Sequence, residues 1–148
     1  MTILATASAL SSAPASAFFA RWIDHDTWAQ WSPDTEWVRL DAPLALGTTG
    51  TLKPAGGPKV RFAISGLATD REYTDTSRLL GARLAFQHLA TETDDGTRLD
   101  VRVEITGPLS GLWARIMGGG FAESAPADLD RLVSIVESEA ARTAASSS

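Results

Sequence analysis

The chain has 148 residues, of which 44% are hydrophobic and 21% are charged, and its formal net charge is -5. These values predict one globular domain and argue against binding of nucleic acid or of anionic membranes through bulk charge. The absence of cysteine excludes disulfides, thiolate metal sites and cysteine nucleophiles, and it fits a cytoplasmic protein. No apolar run is long enough for a transmembrane helix, so stable membrane insertion is not expected.

The N-terminal part of the chain predicts one strand followed by two short helices. Residues 2–9 are compatible with a strand, and Ser12-Ala13-Pro14 then signals the start of a helix with the sequence "ASAFFARW". A second short helix carries Trp28 and Trp31, three residues apart on one face, and it ends at Ser32-Pro33-Asp34. We expect both tryptophans to dock this helix on the core rather than to stack on a ligand.

The region from Glu36 to Thr106 predicts six short strands separated by turn residues. The clearest of them is "TRLDVRVEI", in which Leu99, Val101, Val103 and Ile105 alternate with charged side chains. An Asp-Gly turn joins it to the preceding strand "GARLAFQHLATE". Regular strands with one apolar face predict a meandering antiparallel sheet that is dry on one side.

The last part of the chain predicts a long C-terminal helix, because Leu109, Leu112, Trp113 and Ile116 recur at helical spacing and the pattern resumes at Leu129. Between the two stretches lie Gly118 to Gly120, which are unfavourable in a helix interior. Two alternatives stay open at this point. The glycines form a hinge or a close approach within one helix, or they form a plain loop between two helices. Residues 141–148 are small and polar and are predicted to be a disordered tail after a domain of residues 1–140.

The predicted order is one strand, two short helices, six strands and a long helix, which makes an α+β domain. Only the last helix is long and apolar enough to cover the dry face of the sheet. A curved sheet wrapped around one helix leaves space between them, and that space is the natural place for a ligand.

The stretch "SSAPASAFFARWIDHDTWAQWSP" resembles the opening motif of the SRPBCC superfamily, whose START-like fold is also called helix-grip. The matching features are the pair Ala13-Pro14 and the run Asp26-x-Trp28-x-x-Trp31. The later segments "DDGTRLDVRVEITGPL" and "DLDRLVSIVE" resemble the last strands and the gripping helix of the polyketide cyclase/dehydrase-like branch. The resemblance covers residues 3–138 and implies a curved antiparallel sheet of about seven strands around a long C-terminal helix. It does not imply one activity, because the superfamily includes lipid carriers, hormone binders, cyclases and dioxygenase domains.

His88 is the titratable residue that the sequence singles out, because it shares strand parity with Leu84 and Phe86. Asp75 and Tyr73 lie on the preceding strand as possible partners of this histidine or of a ligand hydroxyl. A histidine held by a carboxylate is a suitable general base for enolising a poly-β-ketone. The alternative is a core histidine that only hydrogen-bonds to a neighbour.

The remaining site residues are predicted to line the space between the sheet and the helix. Arg39 is expected either to meet a ligand carboxylate or to be a solvated edge residue. The full set of predicted ligand-lining residues is Trp37, Arg39, Phe62, Ile64, Leu84, Phe86, Val101, Val103, Leu112, Trp113, Ile116 and Phe121. Neither a nucleophile motif nor a phosphate loop nor a dinucleotide fingerprint is present, and no cofactor is expected. The chain has only two histidines, His25 and His88, in distant segments, so a metal site is not expected.

We therefore expect a protein that binds a small hydrophobic or amphipathic molecule, such as a lipid, a polyketide or an aromatic compound. The first alternative is a cyclase or dehydratase that uses His88 with Asp75 or Tyr73. The second is a protein-interaction module whose interior is filled by its own side chains. A homodimer is compatible with each of these hypotheses.

Overall fold

The computed structural model describes residues 2–147 and contains a single antiparallel sheet with three helices. The strands and helices, in chain order, are β1 (Thr2–Ser11), α1 (Ala15–Trp22), a 3-10 turn (His25–Thr27), α2 (Trp28–Trp31), β2 (Thr35–Leu40), β3 (Thr49–Pro54), β4 (Val60–Ala68), β5 (Glu72–Leu79), β6 (Ala82–Thr93), β7 (Gly96–Thr106) and α3 (Ser110–Ser147). This order confirms the predicted α+β helix-grip architecture.

The sheet has seven strands in the order β1-β7-β6-β5-β4-β3-β2, so β5 is its central strand. All the strands from β2 to β7 pair with their sequence neighbours, and β1 closes the far edge against β7. The sheet therefore has one face that is turned towards the helices, which we call the inner face, and one outer face. On the inner face of β7, Leu99, Val103 and Ile105 are buried, as the alternation of this strand predicts.

The buried side chains form two clusters. The aromatic cluster is built where α1 and α2 pack on the sheet, and it contains Phe18, Trp22, Trp28, Trp31 and Tyr73. The aliphatic cluster lies under the first half of α3 and contains Ala5, Ala82, Leu84, Val103, Ile105 and Ala125. Together they fix α1, α2 and α3 on one face of the sheet.

Helix α3 packs mainly along β1, then along β7, and only slightly on β6. Its first half contributes Trp113, Met117 and Phe121 to the aliphatic cluster, and its second half contributes Leu129 and Leu132 to the aromatic cluster. The backbone of α3 therefore runs closest to β1 and β7, and α1 and α2 lie nearer to β2, β5 and β6. No helix within residues 2–147 has the length and apolar character needed to cross a membrane.

The glycines at 118–120 lie inside α3, which is continuous, so the plain-loop alternative is wrong. A Cβ atom added at Gly118, Gly119 or Gly120 would meet nothing within 4 Å, so close approach of the backbone is not the reason for these residues either. Pro126 is a second helix-unfavourable residue in the same helix. Apolar contacts before Gly118 and after Pro126 hold the helix together across both features.

Helix α3 also extends through residues 141–147, where the sequence predicts a disordered tail. This segment is rich in alanine, the best helix former, and it contains no glycine or proline that would end the helix. Ser148 lies outside the described residues.

Replacing Gly118, Gly119 and Gly120 by alanine is expected to stabilise the protein. Each alanine removes backbone freedom from the unfolded chain at a site with room for Cβ, which is worth about 1 kcal/mol per residue in a helix interior. Urea unfolding of the triple variant measures the gain. Gly107→Ala is the matched control and is expected to destabilise, because Gly107 has φ +114° and its added Cβ would lie 2.7 Å from the Gly81 oxygen. A triple variant no more stable than wild type would mean that this segment is not helical in solution.

Candidate functional site

The short helices build an aromatic wall over the inner face of the sheet. Trp22, Trp28 and Trp31 are all buried, and the Trp28 indole N–H donates a hydrogen bond to the Trp22 carbonyl oxygen at 3.0 Å. The two other indole nitrogens, Trp22 Nε1 and Trp31 Nε1, are buried and have no hydrogen-bond partner among the described residues. A buried donor without an acceptor costs about 1–3 kcal/mol, so the wall carries two unused polar groups.

The central strand β5 brings polar side chains under this wall. The alternation of "EYTDTSRL" turns Tyr73, Asp75 and Ser77 to the inner face, where all three are buried. Asp75 is only 4% exposed. Among residues 2–147 no lysine or arginine forms an ion pair with it. An acid that is buried without a cation is unusual, because burial of an unpaired charge is strongly unfavourable.

Tyr73 pairs with His25 beside this acid. The Tyr73 hydroxyl oxygen lies 2.8 Å from His25 Nε2, and Asp75 follows two residues along β5 on the same face of the sheet. Because a hydroxyl has one proton, two arrangements are possible. The hydroxyl donates to His25 Nε2, or it accepts from a protonated Nε2. The Tyr73–His25 hydrogen bond and the Asp75 carboxyl group therefore lie side by side on the inner face.

His88 lies beside this pair on β6, directly opposite Tyr73 in the strand register. Its Nδ1 atom lies 3.2 Å from the Tyr73 carbonyl oxygen, which is an acceptor, so Nδ1 carries the proton and Nε2 keeps its lone pair. The ring packs on Trp22 at 5.5 Å and on Trp31 at 6.2 Å between centroids. The structure thus brings His88 next to Tyr73 but pairs it with the backbone rather than with the Asp75 carboxylate.

Burial determines the protonation of all four groups. Desolvation raises the pKa of Asp75 to about 7, against a weaker opposing effect of the hydrogen bond to Tyr73. Desolvation also lowers the pKa of His88 to about 4, lowers the pKa of His25 and raises the pKa of Tyr73. At neutral pH the tyrosine and both histidines are therefore uncharged, and Asp75 is close to half protonated.

Most of the predicted ligand-lining residues lie on the inner side of the molecule. Phe62, Ile64, Leu84 and Val103 are buried there, whereas Phe86 and Val101 are partly exposed. From α3, Trp113 and Phe121 pack on the aliphatic cluster, and the Phe121 ring meets the Phe86 ring edge-on at 5.3 Å. Partly exposed side chains on the inner face show where the cover over the sheet is incomplete.

Four of the predicted lining residues lie elsewhere. Trp37 and Arg39 are on the opposite face of β2 from the buried Val38, and the Arg39 guanidinium lies 4.6 Å from the centre of the Trp37 ring. Arg39 is exposed, so the solvated-edge alternative fits its position and an inward contact with a ligand carboxylate does not. Leu112 and Ile116 are 53% and 64% exposed, which places them on the solvent side of α3.

His25 is the residue of the site that the sequence reasoning missed. Its position between Asp24 and Asp26 marks it only as a helix-entry residue, and its partner Tyr73 is 48 positions away in the chain. Only the docking of the 3-10 turn on β5 brings the two together. Within residues 2–147, no group of three or more histidine or acidic side chains has the arrangement needed to hold a metal ion.

Two prominent depressions lie outside this interior. One of about 690 Å³ lies between α1 and the end of α3, where Arg21 forms an ion pair with Glu139. The other, of about 570 Å³, lies at the turn between β5 and β6. Neither is lined by Asp75, Tyr73 or His88.

Comparison with solved structures places the chain in the helix-grip fold. The di-domain ARO/CYC protein StfQ from the steffimycin biosynthetic pathway matches with a TM-score of 0.74 at 12% identity, over 92% of this chain and 51% of that chain. Ara h 8.0201 matches with a TM-score of 0.63 at 15% identity, over 90% of this chain and 96% of that chain. TTHA0849 from Thermus thermophilus matches with a TM-score of 0.67 at 17% identity, over 91% and 97%. No protein-family model and no curated protein match the sequence.

The fold and the site together define a helix-grip protein with an uncompensated acid on the central strand of its inner face. The likeness to solved structures confirms the fold that the sequence resemblance implies. Because the identities are 12%, 15% and 17%, it carries the fold alone.

Asp75→Asn is expected to gain stability over wild type as the pH rises. The folded protein keeps the Asp75 proton up to about pH 7, whereas the unfolded chain loses it near the ordinary value of 3.8. Between these values the folded state binds more protons, so rising pH destabilises wild type by about 1.4 kcal/mol per pH unit through this group. His88 has the opposite effect: its pKa is about 4 in the folded protein and 6.5 in the unfolded chain, so between these values it makes the protein more stable as the pH rises. This contribution is present in both proteins.

The measurement is the difference in unfolding free energy between Asp75→Asn and wild type from pH 4 to pH 8, which cancels the His88 contribution. The matched control is Asp100→Asn on the outer face, whose carboxylate already pairs with Arg98. A difference for Asp75→Asn that does not change with pH would contradict the desolvated state of this acid.

Proposed function

We propose that the protein binds a small, uncharged amphipathic molecule between the inner face of the sheet and α3. Asp75 is the observation that carries this proposal, because its carboxyl group is a polar anchor in an otherwise apolar and aromatic environment. Binding sites of this kind combine a hydrophobic lining with a small number of placed polar groups.

The protonation states of the side chains around Asp75 favour an uncharged ligand. Tyr73, His25 and His88 are neutral at pH 7, and no basic side chain pairs with Asp75 among the described residues. A ligand carboxylate would therefore meet a carboxyl group without a compensating cation, which disfavours fatty acids. A hydroxyl or carbonyl group can instead exchange a hydrogen bond with Asp75, and the unpartnered Trp22 and Trp31 N–H groups are donors for a carbonyl oxygen.

The apolar body of the ligand would lie against the partly exposed side chains of the inner face. Phe86 and Val101 on the sheet remain partly exposed although they face inwards, and the Phe121 ring of α3 packs edge-on against Phe86. Aromatic side chains at this position favour a flat aromatic or polyketide-derived molecule over a flexible chain. The fold shared with StfQ, an ARO/CYC protein of a biosynthetic pathway, is compatible with this class.

Binding of matched naphthalene probes tests this proposal. We expect 2-naphthol to bind more tightly than naphthalene and than 2-naphthoate, as measured by quenching of tryptophan fluorescence and by native mass spectrometry. Because the anchoring hydrogen bond is worth about 1.5 kcal/mol, Asp75→Asn should weaken the binding of 2-naphthol about tenfold. Asp100→Asn should leave the affinity unchanged. Equal affinity for the three probes would contradict the polar anchor.

A larger side chain at Val101 distinguishes a ligand-binding protein from an interaction module with a filled interior. Val101→Phe is expected to abolish binding of 2-naphthol while leaving the unfolding midpoint nearly unchanged, because the added ring occupies the ligand's place. In a filled interior the same change would cost about 1–3 kcal/mol of stability through overpacking. A strongly destabilised variant would therefore favour the interaction module.

A second candidate function, acid–base catalysis, is favoured by the buried Asp75 carboxyl group beside the hydrogen-bonded pair Tyr73–His25. A carboxyl group with a pKa near 7 can both take and return a proton at neutral pH. In a cyclisation, the Asp75 carboxylate would remove a proton from a carbon next to a ketone, and the enolate would attack a second carbonyl carbon of the same molecule. The alkoxide formed there would then take the proton back from Asp75.

Deuterium exchange into the methyl group of 2-acetonaphthone in D2O reports the first of these steps. Catalysed exchange that is lost in Asp75→Asn and reduced in Tyr73→Phe would establish an enzyme. Binding of 2-acetonaphthone without deuterium exchange would indicate a carrier protein rather than an enzyme.

A further inference from the structure

The end of the molecule at the β5–β6 turn carries an exposed apolar tip that belongs neither to the core nor to the inner site. Its members are Leu80 in the turn, Leu109 directly before α3, and Leu112 and Ile116 in the first turns of α3, and we call these four residues the tip. Leu80 is 80% exposed, and Leu112 and Ile116 are 53% and 64% exposed. Exposed apolar side chains that occur together rather than singly mark interaction sites.

Backbone contacts hold the two parts of the tip together. The Trp113 indole N–H donates to the Leu80 carbonyl oxygen at 2.8 Å, and the Leu109 N–H donates to the Gly81 carbonyl oxygen at 2.9 Å. Gly81 has φ +67°, and a Cβ atom there would lie 2.6 Å from Leu109 Cγ, so the turn and the helix start fit closely. The tip is therefore a built surface rather than a loose turn.

Arginines flank the tip. Arg78 and Arg83 are exposed and directly opposite each other in the β5–β6 register, and Arg115 is exposed on the tip part of α3. Within residues 2–147 none of the three forms an ion pair. Like charges at opposite cross-strand positions are destabilising. A bound anion would therefore reduce the repulsion between Arg78 and Arg83.

The depression of about 570 Å³ at this end is lined by both Arg78 and Arg83, together with Thr106 and Pro108. Its guanidinium groups and hydroxyl are donors that suit a phosphate or carboxylate group. The opposite end of β6 is acidic, with Glu92, Asp94 and Asp95 exposed about 36 Å away at the usual rise per residue of a strand. Although the net charge is -5, the arginines at the tip and the acidic side chains lie at opposite ends of β6.

We propose that this end of the protein docks on anionic lipid surfaces, with the tip entering the interface and the arginines binding lipid headgroups. Apolar side chains flanked by arginines fit the boundary between acyl chains and anionic headgroups. A two-fold dimer through the tip is disfavoured, because it would bring Arg78 and Arg83 against the same residues of the second copy. The turn with the exposed Leu80 also protrudes, which suits insertion into the boundary region of a lipid layer.

Vesicle sedimentation of the full chain tests the docking surface. We expect retention on vesicles of phosphatidylcholine with phosphatidylserine, weak retention on phosphatidylcholine alone, and loss of retention as salt is added. Arg78→Gln with Arg83→Gln should weaken binding on the order of 30-fold, because each arginine near an anionic surface is worth about 1 kcal/mol. Leu112→Ser with Ile116→Ser should also abolish retention.

Matched controls lie elsewhere on the surface. Arg71→Gln with Arg98→Gln removes the same charge near the acidic end, and Leu10→Ser with Leu46→Ser removes leucines that are 75% and 66% exposed. Both controls should bind like wild type, and unfolding midpoints show that all four variants are folded. Equal weakening by tip and control variants would overturn the proposal, as would equal retention on both kinds of vesicle.

Two further outcomes would also overturn it. Competition by inorganic phosphate with no effect of Leu112→Ser and Ile116→Ser would indicate a site for a free anion. If neither kind of vesicle retained the protein, the result would favour a protein partner for the tip. Neither result would bear on the inner site, because Asp75 and its neighbours are not part of this surface.

Discussion

The burial of Asp75 on the central strand is the constraint on which the inner site depends. The carboxyl group at this position is buried beside Tyr73, and it has no ion-pair partner among the described residues. Such a group costs stability whenever it is ionised, and a purely structural core would be more stable with an apolar residue of similar size. This cost in stability is the reason for our proposal that the acid anchors a bound molecule.

The helices create this environment because they pack on different parts of the inner face. The tryptophans of α1 and α2 pack on the rings of both histidines and of Tyr73, while α3 packs nearer the other edge of the same face, along β1 and β7. Between them, inward-facing side chains such as Phe86 and Val101 stay partly exposed. The same separation leaves the start of α3 outside the core, where its apolar residues are free to form the tip.

Much of this architecture is predictable from the sequence, because strand alternation and helical spacing are local patterns. The six strands, the two short helices and the inward position of His88, Asp75 and Tyr73 follow from those patterns alone. Trp37 and Arg39 lie on the face opposite to the predicted one, because Val38 takes the buried position of β2. Strand parity shows that Val38 and the pair Trp37 and Arg39 face opposite ways, but it does not show which of them faces inwards.

The other differences come from long-range packing. His25 joins the site through a tertiary contact that no local pattern predicts. The glycines of α3 stay helical because side chains on either side of them are anchored in two different clusters, which outweighs their low propensity. Leu112 and Ile116 follow the helical spacing but lie on the side of α3 that has no sheet beneath it.

The most direct test of the central claim is an NMR titration of the Asp75 side-chain carboxyl carbon in the free protein. The account predicts a midpoint near pH 7. It also predicts that saturating 2-naphthol displaces this midpoint, because a ligand hydroxyl would then share a hydrogen bond with the carboxyl group. A midpoint near the ordinary value of 3.8 would contradict the account, since the acid would then be solvated and would not be the polar anchor of an apolar site.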